Sequence, residues 1–123
     1  MTASRLLIVD DDRDFAGGLA EYLELCGHRV DIEFTGESAI EAAGRTAYDT
    51  ILMDVGLPGL NGVESLREIK RSQPEIRCFL LTGYSADHVL LRGVEAGAAE
   101  ILIKPVNPEQ LSRRLAARPA GDR

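Results

Sequence analysis

The sequence predicts an α/β fold, a (βα)5 chain in which helices doubly wind a parallel five-stranded sheet. Three observations predict it. Short apolar runs recur five times. Helix-length segments separate them, several with one apolar stripe. Four of the runs stop at a residue able to do chemistry: an Asp, a Thr or a Lys.

The elements follow in order. Leu6-Leu7-Ile8-Val9 is apolar throughout, as suits a strand covered by helices on both faces. Phe15, Leu19, Tyr22 and Leu23 then share one helical stripe, with Glu21 and Glu24 opposite. Asp12 is placed to cap that helix and Gly27 to close it. Val30, Ile32 and Phe34 alternate with Asp31 and Glu33, which predicts an edge strand with one wetter side. A second helix is expected to end near Gly44. Ile51-Leu52-Met53 is again continuous and reads as a buried strand. Leu66 and Ile69, set among Glu64, Arg67, Glu68 and Lys70, mark the third helix. Cys78-Phe79-Leu80-Leu81 is the fourth strand, and a fourth helix runs from a cap at Ser85 to Gly97. Ile101-Leu102-Ile103 is the fifth strand, also read as buried on both faces. A short helix, roughly Pro108 to Ala117, ends the series. Segments this long between runs are what parallel pairing requires.

Composition narrows the class. The chain has 123 residues, 45% hydrophobic and 28% charged, which fits one soluble domain over 1–118 with a flexible tail at 119–123. Its formal net charge of −6 argues against a nucleic-acid backbone or an anionic membrane as the main partner. Arg113, Arg114, Arg118 and Arg123 read as a solvated, dipole-favoured helix end rather than a DNA contact. No apolar run approaches the roughly 18 residues of a membrane span, and no signal peptide fits the start. Cys26 and Cys78 make no disulfide framework, and Cys78 reads as core; a reducing, cytoplasmic location is expected. His28 and His88 lack ligand spacing, and no catalytic Ser-His-Asp set, P-loop or dinucleotide fingerprint is present.

The polar residues that end the runs carry the function. The C-terminal ends of parallel strands share one edge, where open α/β sheets bind ligands. Asp10, Asp11, Asp54, Thr82 and Lys104 should therefore meet in one pocket. Each alone has a plainer reading, as a turn residue, a cap or a solvated charge. Their coincidence at four strand ends favours a site. Crowded carboxylates repel unless one is protonated or a cation sits among them. Oxygen ligands without His or Cys point to a hard cation, and Mg²⁺ fits. Lys104 adds a second positive charge and Thr82 a hydroxyl donor. Together these make a site for a phosphoryl group attacked by a carboxylate.

From about Arg5 to Leu115 the sequence resembles the receiver domain of two-component response regulators. The resemblance rests on Ile8-Val9-Asp10-Asp11 with a third Asp, Met53-Asp54, Leu57-Pro58-Gly59-Leu60-Asn61-Gly62, Leu81-Thr82-Gly83, Gly97-Ala98 and Lys104-Pro105. It implies a flavodoxin-like strand order, 2-1-3-4-5. It implies Asp54 as phospho-acceptor, with Mg²⁺ held by Asp11, Asp54 and the Gly56 carbonyl and by Asp10 through water. Thr82 would hydrogen-bond the phosphoryl group, Lys104 would pair with it, and the Lys104-Pro105 bond is expected to be cis. Gly83 would leave room for the phosphoryl group. Gly56 and Tyr84 would tune its lifetime, with slow self-dephosphorylation expected. A sensor histidine kinase or phosphotransfer protein would be the donor and another protein the target, with the chain a monomer or weak dimer and no ordinary released-product activity. Ile101 stands at the switch position where the family usually has Tyr or Phe, Val106 replaces a usual Phe, and Asn61 a commoner Asp. These departures leave open a receiver-fold interaction module independent of phosphorylation. A Mg²⁺-dependent phosphohydrolase is a third possibility, although its usual second Asp is here Gly56. If the chain is part of a longer regulator, a DNA-binding or enzymatic output would accompany it.

Overall fold

A computed structural model describes residues 4–83 and 87–117, with the backbone alone for 87–91. Tyr84, the cap expected at Ser85, the His88 side chain and the tail with its boundary at 118 lie outside the described residues. The chain alternates β1 (Arg5–Val9), α1 (Arg13–Leu25), β2 (Arg29–Glu33), α2 (Gly36–Arg45), β3 (Thr50–Asp54), α3 (Gly62–Ser72), β4 (Arg77–Thr82), α4 (Asp87–Ala96), β5 (Glu100–Ile103) and α5 (Pro108–Ala116). All strand pairs are parallel, in the order β2-β1-β3-β4-β5. The α/β doubly wound sheet and its order are those expected. None of the described helices is long and apolar enough to cross a membrane.

Alternation along the central strands divides the core in two. Leu7, Val9, Ile51, Met53, Cys78 and Leu80 face one side, packed with Leu66 and Ile69 of α3 and the alanines of α2. Leu6, Ile8, Leu52, Phe79 and Leu81 face the other, packed with Leu19 and Leu23 of α1 and Leu111 of α5. Each side chain of leucine size buried this way contributes about 1.5–3 kcal/mol.

The helix starts follow local rules. The Asp12 carboxylate accepts the Phe15 N–H at 3.1 Å and caps α1. Asn61 caps α3 in a reciprocal box with Glu64. Gly27 and Gly97 adopt φ of 100°, the left-handed conformation glycine tolerates after a helix.

The second helix ends near Gly44 as expected, running one residue further to Arg45 with Thr46 as its cap. One expectation needs correction. The fifth apolar run is not buried on both faces. β5 is the second edge of the sheet, its residues are only partly covered, and Ile103 is 51% exposed. A continuous apolar run shows that neither face is polar, but it does not say whether a further strand or helix covers the edge.

Candidate functional site

The sheet register builds the site. Val9 pairs with Met53, so Asp10 and Asp54 leave adjacent strand ends side by side. Asp54 pairs with Leu81, and Thr82 with Ile103, which brings Thr82 and then Lys104 to the same edge. The Lys104 backbone N–H donates to the Thr82 carbonyl at 2.8 Å. The Lys104-Pro105 bond is cis.

The five side chains that the sequence assigns to one pocket all come from this edge. Asp10, Asp54 and Thr82 are buried there, Lys104 is partly covered and Asp11 is exposed. Asp10, Asp11 and Asp54 each offer a carboxylate oxygen within 4.8 Å of the others. The Lys104 Nζ lies 2.9 Å from Asp10 Oδ2 and 3.2 Å from Asp54 Oδ1. Asp10 uses its other oxygen locally: Oδ1 accepts the Asp12 N–H at 2.9 Å.

Burial pushes the Asp54 carboxyl above the usual carboxylate range, and the charge on Asp10 pushes it further. Lys104 and a backbone hydrogen bond from Gly56 oppose that rise. For Lys104, burial favours the neutral amine, but Asp10 and Asp54 outweigh it and raise the ammonium above its ordinary value. Lys104 is therefore charged at neutral pH. Three carboxylates still face one ammonium. The donor set, oxygen only and in excess of local positive charge, fits a hard divalent cation.

The loop after Asp54 is shaped by close approaches. Gly62 opens α3 against the backbone of Asp54: a Cβ there would lie 2.3 Å from the Asp54 carbonyl oxygen. Gly59 has φ of 73° beside the Glu37 carboxylate, which also accepts the Leu60 N–H at 3.4 Å. Gly56 and Gly83 are different. Among the described residues, a Cβ on Gly83 would meet no atom within 4 Å, and one on Gly56 would make only ordinary contact with Asp54 Oδ2 at 3.9 Å. Ile101 is partly buried against the core, and a Cβ at Gly93 of α4 would fall 2.8 Å from its Cδ1.

Sequence reasoning missed one neighbour of the cluster. The Phe15 ring lies under the Lys104 ammonium, 4.8 Å from Nζ to centroid. Helical spacing assigned Phe15 to the core stripe, where it does pack. The available signal was its place in the first turn of a helix that starts at the pocket.

Comparison with known proteins agrees with this geometry. The family model "Response regulator receiver domain" matches residues 6–116. A response regulator receiver protein of Anaeromyxobacter sp. (strain Fw109-5) is 38% identical over 83% of the chain and 43% of its own length. The chain spans from a quarter to about half of the length of the curated relatives it matches. Among solved structures, the BeF3-activated DrrB receiver domain superposes with a TM-score of 0.85 at 36% identity, covering 94% of this chain and 96% of that one. A response regulator from Burkholderia pseudomallei, solved with a phosphorylated aspartic acid, calcium ion and citrate, superposes with a TM-score of 0.86 at 31% identity, covering 96% of this chain and 68% of that one.

Proposed function

The chain belongs to the response-regulator receiver family, and on that premise we propose that Asp54 is the phospho-acceptor of its switch. The observation that carries this reading is the convergence on Asp54 of the Lys104 ammonium at 3.2 Å and the carboxylates of Asp10 and Asp11. An Asp54 carboxylate oxygen attacks the phosphorus of a phosphohistidine. The P–O bond forms as the P–N bond breaks, and the bonding pair returns to the imidazole nitrogen, which takes a proton. Lys104 neutralises charge on the incoming phosphoryl oxygens. Thr82, buried at the next strand end, donates its hydroxyl to them.

Asp11, Asp54 and the Gly56 carbonyl would hold Mg²⁺, with Asp10 acting through a water. Asp10 suits that indirect role because both its oxygens already accept hydrogen bonds. When bound, the ion supplies charge neutralisation for the phosphoryl group and its acceptor. Gly56 offers no side chain to orient an attacking water, so the acyl phosphate is expected to hydrolyse slowly. Gly83 keeps open the space a phosphoryl group needs.

The donor is a sensor histidine kinase or a phosphotransfer protein, and the output is altered docking to another protein. If the chain is part of a longer regulator, relatives named a cyclic di-GMP phosphodiesterase and a transcriptional regulatory protein support an enzymatic or DNA-binding output domain. The chain itself acts as a switch rather than a turnover enzyme, in the cytoplasm, as a monomer or weak dimer. Intact mass after incubation with acetyl phosphate and Mg²⁺ tests the reading. One added phosphoryl group on the wild type, and none on Asp54→Ala, is expected. No adduct on either protein, with Mg²⁺ binding demonstrated, would favour a phosphorylation-independent interaction module.

A further inference from the structure

The Lys104 ammonium has three donors. Asp10 Oδ2 at 2.9 Å and Asp54 Oδ1 at 3.2 Å account for its carboxylate side. Another side lies over the Phe15 ring, 4.8 Å from the centroid. Phe15 is partly buried and packs on the core shared by α1 and α5, so its ring is held from behind. Lys104 is anchored from below by its backbone bond to Thr82. The ammonium therefore sits between an anionic wall and an aromatic one.

These two walls hold a cation differently. A carboxylate gives a short, directional bond that is lost when its oxygen is used elsewhere. An aromatic face attracts a cation over a broad area, and more strongly when water is excluded. On the reading that Asp54 is phosphorylated, Lys104 must leave an Asp54 oxygen and follow the phosphoryl oxygens a few ångströms outward. The ring lets it move without leaving the site.

We propose that Phe15 is a positioning residue for phosphoryl transfer, its ring face holding the Lys104 ammonium over Asp54 before and during the reaction. This rests on the acceptor reading of Asp54. Phe15 touches neither substrate nor reacting atoms; it acts through Lys104.

The experiment combines a contact readout with a rate. The ε-methylene proton shifts of Lys104, measured without phosphodonor, report the ring current. Phosphorylation by acetyl phosphate with Mg²⁺, followed by intact mass, gives the rate for wild type, Phe15→Leu, Phe15→Tyr and proteins carrying mono-, di- or trifluorophenylalanine site-specifically at position 15. Fluorination drains the ring face while nearly preserving its shape, so this series stays informative if Phe15→Leu fails to fold. The expected result is an upfield shift in wild type that Phe15→Leu abolishes, a rate loss of roughly three- to tenfold in Phe15→Leu, near-wild-type rates in Phe15→Tyr, and a stepwise decline with each fluorine. An absent ring shift overturns the proposal, as does a flat fluorine series, which would leave Phe15 a packing residue. A wild type that takes up no phosphoryl group overturns the acceptor reading and this role with it. Normal wild-type phosphorylation with rates indifferent to position 15 overturns this role alone.

Discussion

The Asp54 carboxylate is buried beside Asp10, and in the absence of a cation that placement opposes folding. Burial first and Asp10 second raise its folded-state value. A carboxyl raised on folding contributes stability below its unfolded value and loses it as pH rises through the raised one. Asp54→Asn keeps the shape and removes the charge. In EDTA it should therefore be more stable than wild type at pH 8, with the gap narrowing toward pH 4. Urea melts of both proteins across that range measure the gap, and a pH-independent difference would contradict the argument. Two glycines make a contrasting pair. Gly62→Ala drives a methyl to 2.3 Å from the Asp54 carbonyl, a backbone atom that cannot step aside. Overpacking of this kind costs about 1–3 kcal/mol. Gly83→Ala meets no atom of the described residues within 4 Å and should change stability by less than about 0.5 kcal/mol. Thermal unfolding of the two variants separates a glycine the fold requires from one that packing does not require.

Single elements are held unequally. α5 has nine residues and only Leu111 is buried. Its last carbonyls, which no helical N–H reaches, are taken by Arg77 from the start of β4. The guanidinium donates to Leu115 O at 2.9 Å, Arg114 O at 2.8 Å and Ala117 O at 2.7 Å. Its flat face lies over Phe79, 4.8 Å from the ring centroid. Arg77→Met would keep the apolar stem and lose the donors, at a cost of about 1–3 kcal/mol. Amide exchange should then quicken first in α5, with β1 and β3 still protected. Uniform acceleration would mean that Arg77 serves the whole sheet instead. None of this clamp was visible in the sequence, because Arg77 and α5 are far apart along the chain and an Arg before an apolar run has no signature. The Asp12 cap was visible, since it acts on an N–H group three residues away; the Asn61 cap has the same local reach but went unread. Gly44 marked the end of α2 to within a residue, since glycine permits a helix end without fixing its exact place.

At the scale of the molecule, the site was legible because it is a consequence of topology. Once the strands are parallel, every residue following a run lies on one edge, whatever the packing details. Asp10, Asp54, Thr82 and Lys104 needed no distance to be grouped. β5 as an exposed edge, and Phe15 as the floor under Lys104, depend on which side chain reaches which across the fold. The same topology couples the site to global stability. Asp10 and Asp54 end two central strands whose cores unfold with the rest of the domain, so a cation bound among them is bound by the folded state alone. Linkage then requires stabilisation that grows with the logarithm of cation concentration, about 2.7 kcal/mol at a hundredfold excess over Kd. Titrating Mg²⁺ into wild type should raise Tm continuously past saturation, and EDTA should reverse it. Asp11→Asn removes an exposed carboxylate whose loss barely disturbs packing, so its melting point without cation should match wild type while its response to Mg²⁺ is strongly reduced. Equal Mg²⁺ responses in the two proteins would place the cation elsewhere, and no response in either would mean the carboxylate cluster does not hold one.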